Sequence, residues 1–249
     1  MRWKNVKNIM IILLVIINAF LIGDMALTRM SAACLPKGAV KSAENILERN
    51  GISVAQGLIS KNYETRPAAS FSVYTIDYLS ESILGERVQY VSDGQNVVAK
   101  KDKKVLTFFG NSFDYSTDLK RSEKNGRKIL SCLKKKGLFT DGAYFDSDDG
   151  LVKMRFDGCR VEGMYLDAYL DEEGELAAVS GIWGIVTRRD ETQKVAFVTA
   201  VPQLCALLPQ GAHIDGIESV YIISGSGQNY TMKAAWQVTA DGSAYNVTV

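Results

Sequence analysis

The sequence predicts an α+β protein, with a single N-terminal transmembrane helix followed by an exported region of helices laid on antiparallel sheets. Three observations predict this. An apolar run over residues 9–23, broken only by Asn18, follows a basic octapeptide. Beyond it, short segments rich in β-branched and aromatic residues alternate with Asp-Gly turn signals. Among these segments lie stretches of helical period, followed by Gly51, Gly137 and Gly211 as stop signals.

The N-terminal segment comes first. Arg2, Lys4 and Lys7 precede the apolar run with no acidic residue, and Asp24 closes it before Met25-Ala26-Leu27. Fifteen residues make about 22 Å of helix, and the flanking residues bring residues 9–27 to about the 20 that a bilayer needs. Positive charge ahead of the run keeps residues 1–8 in the cytoplasm and sends the remainder out. A cleaved signal peptide would carry a small-residue site soon after the apolar stretch. Here Ser31-Ala32-Ala33 lies past Asp24 and Arg29, and Ser31 stands where a lipoprotein signal ending at Cys34 would have an apolar residue. An uncleaved, single-pass membrane anchor is the better reading. Val15, Asn18, Ala19, Ile22 and Gly23 share one helical face. Asn18 is a costly amide at mid-membrane, and Ala19 and Gly23 form the small-xxx-small spacing that lets a second helix approach. These five residues are the candidate transmembrane interface.

Composition bounds the rest. The chain has 249 residues and a net charge of +1, with hydrophobic residues at 47% and charged residues at 23%, as in ordinary globular proteins. Since the basic tail carries +3, the remainder is slightly acidic, which gives no electrostatic footprint for nucleic acid. The four cysteines, at 34, 132, 159 and 205, match no metal or redox spacing. Cys132 and Cys205 fall in apolar helical patterns, so no disulfide is expected.

Along the exported part, Pro36 opens a helix whose apolar positions Ala39, Val40, Ala43, Ile46 and Leu47 lead to Gly51. Residues 52–60 and 71–78 read as strands, 87–91 and 96–100 as a hairpin about Ser92-Asp93-Gly94, and 105–109 as one more strand. Ser116 or Thr117 then caps a second helix running to about Lys136 before Gly137, with Lys134-Lys135-Lys136 complementing its dipole. Strands follow at 143–145, 151–156, 161–170 and 175–186. Pro202 would break a long helix over 192–208, so Thr199 is read as the cap with Pro202 in the first turn. Strands at 217–224, 231–239 and 244–249 complete the chain. The division is a unit over 35–110 and a region over 111–249 containing two further helix/sheet units.

Chemistry is sparse. His213 is the only histidine and sits at a strand entry, where packing or solvation accounts for it. One histidine and four dispersed cysteines do not make a zinc site. Asp146-Ser147-Asp148-Asp149-Gly150 approximates a calcium loop, but its glycine and terminal acid are misplaced, and an acidic turn explains it. Ser224-Gly225-Ser226-Gly227 lacks the third glycine and following helix of a dinucleotide loop. No catalytic residue, cofactor or metal is expected.

The opening Met1-x-Trp3-x-x-x-Lys7-x-Ile9 with its mid-span Asn, and the last hairpin from Ala235 to Val247 with Trp236, Asp241-Gly242 and Tyr245, resemble the YycI family of two-component-system regulatory proteins. The hairpin is also similar to that of the related YycH proteins and to PepSY-like units. Arg2 stands where the family has an acidic residue, and the middle of the chain diverges. The resemblance implies a non-enzymatic membrane protein that acts on an envelope sensor histidine kinase together with a YycH-like partner. Two other readings stay open: an exported PepSY-like binding module whose anchor is a passive tether, and an envelope hydrolase whose site is assembled from distant strands.

Overall fold

The computed structural model describes residues 34–249 except 93, 95, 123, 227, 228 and 249, together with Leu14, Val15, Ile17, Asn18 and Leu21. The first helix, α1 (Ala39–Arg49), buries Ala43 and Leu47 four residues apart. Its end is a Schellman motif: Gly51, at φ 73°, donates to the Glu48 carbonyl, and Ile52 donates to Leu47. The helix α3 (Gly126–Lys135) ends the same way, Gly137 donating to Lys134 and Leu138 to Leu133. The helix α4 (Phe197–Leu207) does not, because Leu208 turns extended and Pro209 follows. Gly211 instead donates to the carbonyl of Gly51, tying the two helix exits together.

Among the described residues, fourteen strands form one sheet. In chain order they are β1 (Ser53–Val54), β2 (Glu64–Val73), β3 (Tyr90–Ser92), β4 (Asn96–Lys101), β5 (Lys104–Phe109) and β6 (Ser112–Ser116). Then come β7 (Ala143–Asp146), β8 (Leu151–Phe156), β9 (Cys159–Leu170), β10 (Leu176–Ile182) and β11 (Gly184–Val195). The last three are β12 (His213–Ser226), β13 (Asn229–Ala240) and β14 (Ser243–Thr248). The main path runs β11-β2-β13-β12-β9-β10-β6-β5-β4-β3, with β1 on β12, β14 on β13, and β7 through β8 onto β9. The expected α+β class with a dominant antiparallel sheet is present, with four α-helices among the described residues.

Among the described residues two pairings are parallel, β1 with β12 and β9 with β12. The second joins two antiparallel stacks. One edge of β12 is taken by its hairpin partner β13, so its other edge receives β9, whose direction is set by β8 and β10. The core is one continuous cluster reaching from Ala43 in α1 to Val247 in β14. Helices α1 and α4 pack on each other, α4 on β14, and α3 on β7 and β9. Phe197 of α4 meets Trp236 of β13 edge to face at 5.9 Å.

Several boundaries differ from the sequence reading. Residues 76–78 belong not to a strand but to the short helix α2 (Ile76–Leu79), whose first turn is capped by the Thr75 hydroxyl accepting from the Tyr78 amide. A π-helical turn, Ser80–Leu84, follows it. The helix expected to start at Ser116 starts at Gly126, with Asn125 as its cap, because residues 112–116 instead form β6 and bury Phe113 and Tyr115 on alternate positions. Of residues 52–60, only Ser53 and Val54 form a strand. The cap of α4 is Ala196, not Thr199, which places Pro202 in the helix interior. The strand expected over 175–186 is two, β10 and β11, divided at Trp183. Glycines cause that division. A Cβ on Gly181 would lie 2.1 Å from the Tyr165 carbonyl oxygen, and one on Gly184 2.0 Å from that of Ser72. Between them the chain leaves β9 and β6 and crosses to pair with β2, so that β11 ends the strand path. The boundary drawn at residue 110 falls on the turn between β5 and β6, and ladder hydrogen bonds continue across it from β5 through β6 to β10.

Candidate functional site

Of the five residues assigned to a transmembrane interface, Val15 and Asn18 stand in helical backbone with exposed side chains, while Ala19, Ile22 and Gly23 lie outside the described residues. Leu14, Ile17 and Leu21 are likewise helical and at least half exposed. Among the described residues no helix is long and apolar enough to cross a membrane. Most of the run over 9–23 lies beyond them.

The sheet carries a polar ladder that the sequence analysis did not single out. The Arg160 guanidinium in β9 donates to Glu162 at 2.5 Å and to the Gln237 side-chain oxygen in β13, and it pairs with Glu218 of β12 at 3.5 Å. Gln237 passes a hydrogen bond to Asn246 of β14 at 3.2 Å. Toward β7, Lys153 bridges Asp146 at 2.9 Å and also holds Asp149. The hydrogen bond from Lys153 holds the Asp146 carboxyl below its ordinary range. Burial alone would lower the Lys153 ammonium, but its hydrogen bonds to Asp149 and Asp146 outweigh this and leave it raised. The acidic segment at 146–150 is thus a turn closed by a lysine, with the Asp148 amide donating to Asp146 at 3.1 Å. Among the described residues no group of three or more His, Cys, Asp or Glu side chains is placed to hold a metal. The available signal was period two: Arg160 and Glu162 stand on alternate positions of one strand, on the same face.

A second feature is a cleft of about 510 Å³ between α3 and the turn that carries Asp171. Lys128 and Lys135 stand on the helical wall, Glu172 and Glu173 on the other. Lys124 at its base donates to the Gly150 carbonyl at 2.8 Å and to Asp167 at 2.6 Å, and lies over the Tyr169 ring. Asp171 is buried and its carboxylate accepts from the Glu175 amide at 2.8 Å, closing the turn. Opposite charges facing one another across an open cleft suit a polar or zwitterionic surface.

The His213 ring makes two polar contacts. The Ser53 hydroxyl lies 2.7 Å from Nδ1, and an Asp215 carboxylate oxygen lies 3.5 Å from Nε2. Serine and aspartate thus meet opposite ring nitrogens, but with the atoms exchanged relative to a nucleophilic triad. The His213 and Asp215 side chains are each about half exposed, at 48% and 52%. The arrangement fastens β1 to the start of β12.

All four cysteines are free thiols: Cys34 is exposed, Cys132 and Cys159 are buried, and Cys205 is half-buried. Burial pushes the thiols of Cys132, Cys159 and Cys205 up, which suppresses the reactive thiolate. A membrane-impermeant maleimide applied to whole cells is expected to label only Cys34, while unfolding in guanidinium exposes all four. Label that reaches Cys34 only after lysis would contradict the orientation read from the basic tail.

No family model matches the chain, and no curated protein matches it. The chain is similar to the crystal structure of an uncharacterized protein from Eubacterium rectale ATCC 33656, with a TM-score of 0.44 and 10% sequence identity over 83% of this chain and 94% of that one.

Proposed function

We propose that this protein is a membrane-anchored, non-enzymatic regulator of an envelope sensor histidine kinase, acting beside a YycH-like partner through transmembrane and extracytoplasmic contacts. The carrying observation is the N-terminal pattern: a basic tail, an apolar span, and the face of Val15, Asn18, Ala19, Ile22 and Gly23 within it. The resemblance of the two chain ends to the YycI family supports the same reading. To regulate a kinase, the helix must bind its two signalling states unequally, since equal affinity shifts nothing. A photo-crosslinking amino acid at Ala19 in native membranes is expected to capture a sensor kinase, identified by mass spectrometry. The same group at Leu13, on the opposite side of the helix, is expected to capture lipid. Equal capture at both positions, or none at Ala19, would count against the proposal.

A second reading, an exported binding module on a passive tether, draws on the cleft between α3 and the turn at Asp171. It separates from the first because the anchor could then be exchanged for an unrelated transmembrane helix without loss of function.

A further inference from the structure

Resting on the anchor reading above, we propose that the exported domain docks onto the anionic phospholipid surface of the membrane from which the chain emerges, through a basic cleft around Cys34 and Lys61. The cleft encloses about 680 Å³. Lys37, Lys41 and Lys61 line it, with Leu35, Val40 and Ile59 contributing apolar surface. Glu44 is the one acidic residue among the described residues that line it. Lys37 lies in the turn before Gly38, the N-cap of α1, and Lys41 in the first turn of the helix, and both line the cleft. Lys61 comes from a different segment. It is held beside them because the Leu35 amide donates to the Lys61 carbonyl at 2.9 Å and Cys34 bridges to Asn62. All three lysines are exposed, and among the described residues none of them forms an ion pair.

Chain length selects the partner. Only residues 28–33 separate the end of the predicted anchor at Leu27 from Cys34. Six residues span about 20 Å at full extension, so the cleft cannot leave the neighbourhood of the bilayer surface. Contact with that surface is intramolecular in effect, and three individually weak lysines are enough to hold it. Three lysines lining one cleft beside apolar side chains match a phosphodiester headgroup with its glycerol and first methylenes. Docking there would fix the tilt of the sheet above the membrane and set which surface faces a neighbouring protein.

The test uses the full chain in nanodiscs of phosphatidylcholine alone or mixed with phosphatidylglycerol, read by amide hydrogen exchange over residues 35–61. Phosphatidylglycerol is expected to slow exchange there by about threefold or more. The slowing should vanish at high salt and in the triple variant Lys37→Glu/Lys41→Glu/Lys61→Glu, and weaken in the corresponding glutamine variant. Unchanged exchange over residues 151–170 shows that these variants remain folded. Equal exchange in the two lipids, or protection that survives the glutamate substitutions, overturns the docking proposal alone. Equal protection by soluble glycerol phosphate in phosphatidylcholine discs overturns it too. Failure of the chain to enter nanodiscs overturns the anchor reading and this inference with it.

Discussion

Replacing Trp183 with alanine is expected to lower the unfolding free energy by about 3–5 kcal/mol, among the largest single-residue effects in the sheet and helices. Trp183 is the largest fully buried side chain among the described residues, at 0% exposure, and its indole N–H donates to the Leu138 carbonyl at 2.6 Å. Its own carbonyl accepts from the Tyr74 amide at 3.2 Å, so this residue links the crossover between β10 and β11 to the start of α2 and to the exit of α3. Truncation would open a cavity where three separate segments meet, and those segments cannot collapse together. Trp183→Phe keeps most of the volume but leaves the Leu138 carbonyl without its donor, at a cost of about 1–3 kcal/mol. Urea unfolding of the full chain in detergent, followed by far-ultraviolet circular dichroism, measures both. A cost under about 1 kcal/mol for the alanine variant would mean that the crossover does not depend on this side chain.

The same residue shows why the sequence was only partly legible. Glu175 to Val186 is apolar enough to read as one strand, and a continuous apolar run carries no mark of where it changes partners. The mark was steric, in Gly181 and Gly184, where another backbone comes too close for any Cβ. The helix stops at Gly51 and Gly137 were legible because a Schellman motif is local: one glycine and the apolar residue after it complete it. The start of α3 was misplaced because Ser116 and Thr117 look like caps, although Phe113 and Tyr115 already carried the alternation of a strand. The parallel contact of β9 with β12 joins residues about sixty apart, such as Arg160 and Val220, and nothing local announces it. The polar ladder was hidden for the same reason, since Arg160, Glu218 and Gln237 converge only once three strands are paired. The candidate transmembrane interface has the opposite character. Its evidence is periodicity within one helix, which sequence alone displays.

The second large effect belongs to that interface. Asn18→Leu would remove an amide able to bond across to a partner helix while making the span easier to insert, and is expected to weaken association by about fivefold. Gly23→Ile keeps the span apolar but pushes the partner's backbone away from Ala19 and Gly23, and the double variant is expected to abolish association. Leu13→Ile and Ile17→Leu, on the opposite side of the helix, are expected to change little. All five proteins should be made, inserted and folded as before, because none of the substitutions touches the core between Ala43 and Val247.

The most direct measurement is co-purification of the sensor kinase with Asn18→Leu/Gly23→Ile from native membranes, read together with expression of the genes that the kinase controls. If the transmembrane face carries the regulation, kinase recovery falls to background, target-gene expression shifts, and Leu13→Ile/Ile17→Leu behaves as wild type. If the double variant retains the kinase and leaves target expression unchanged, the anchor is a passive tether and regulation through the membrane face is contradicted.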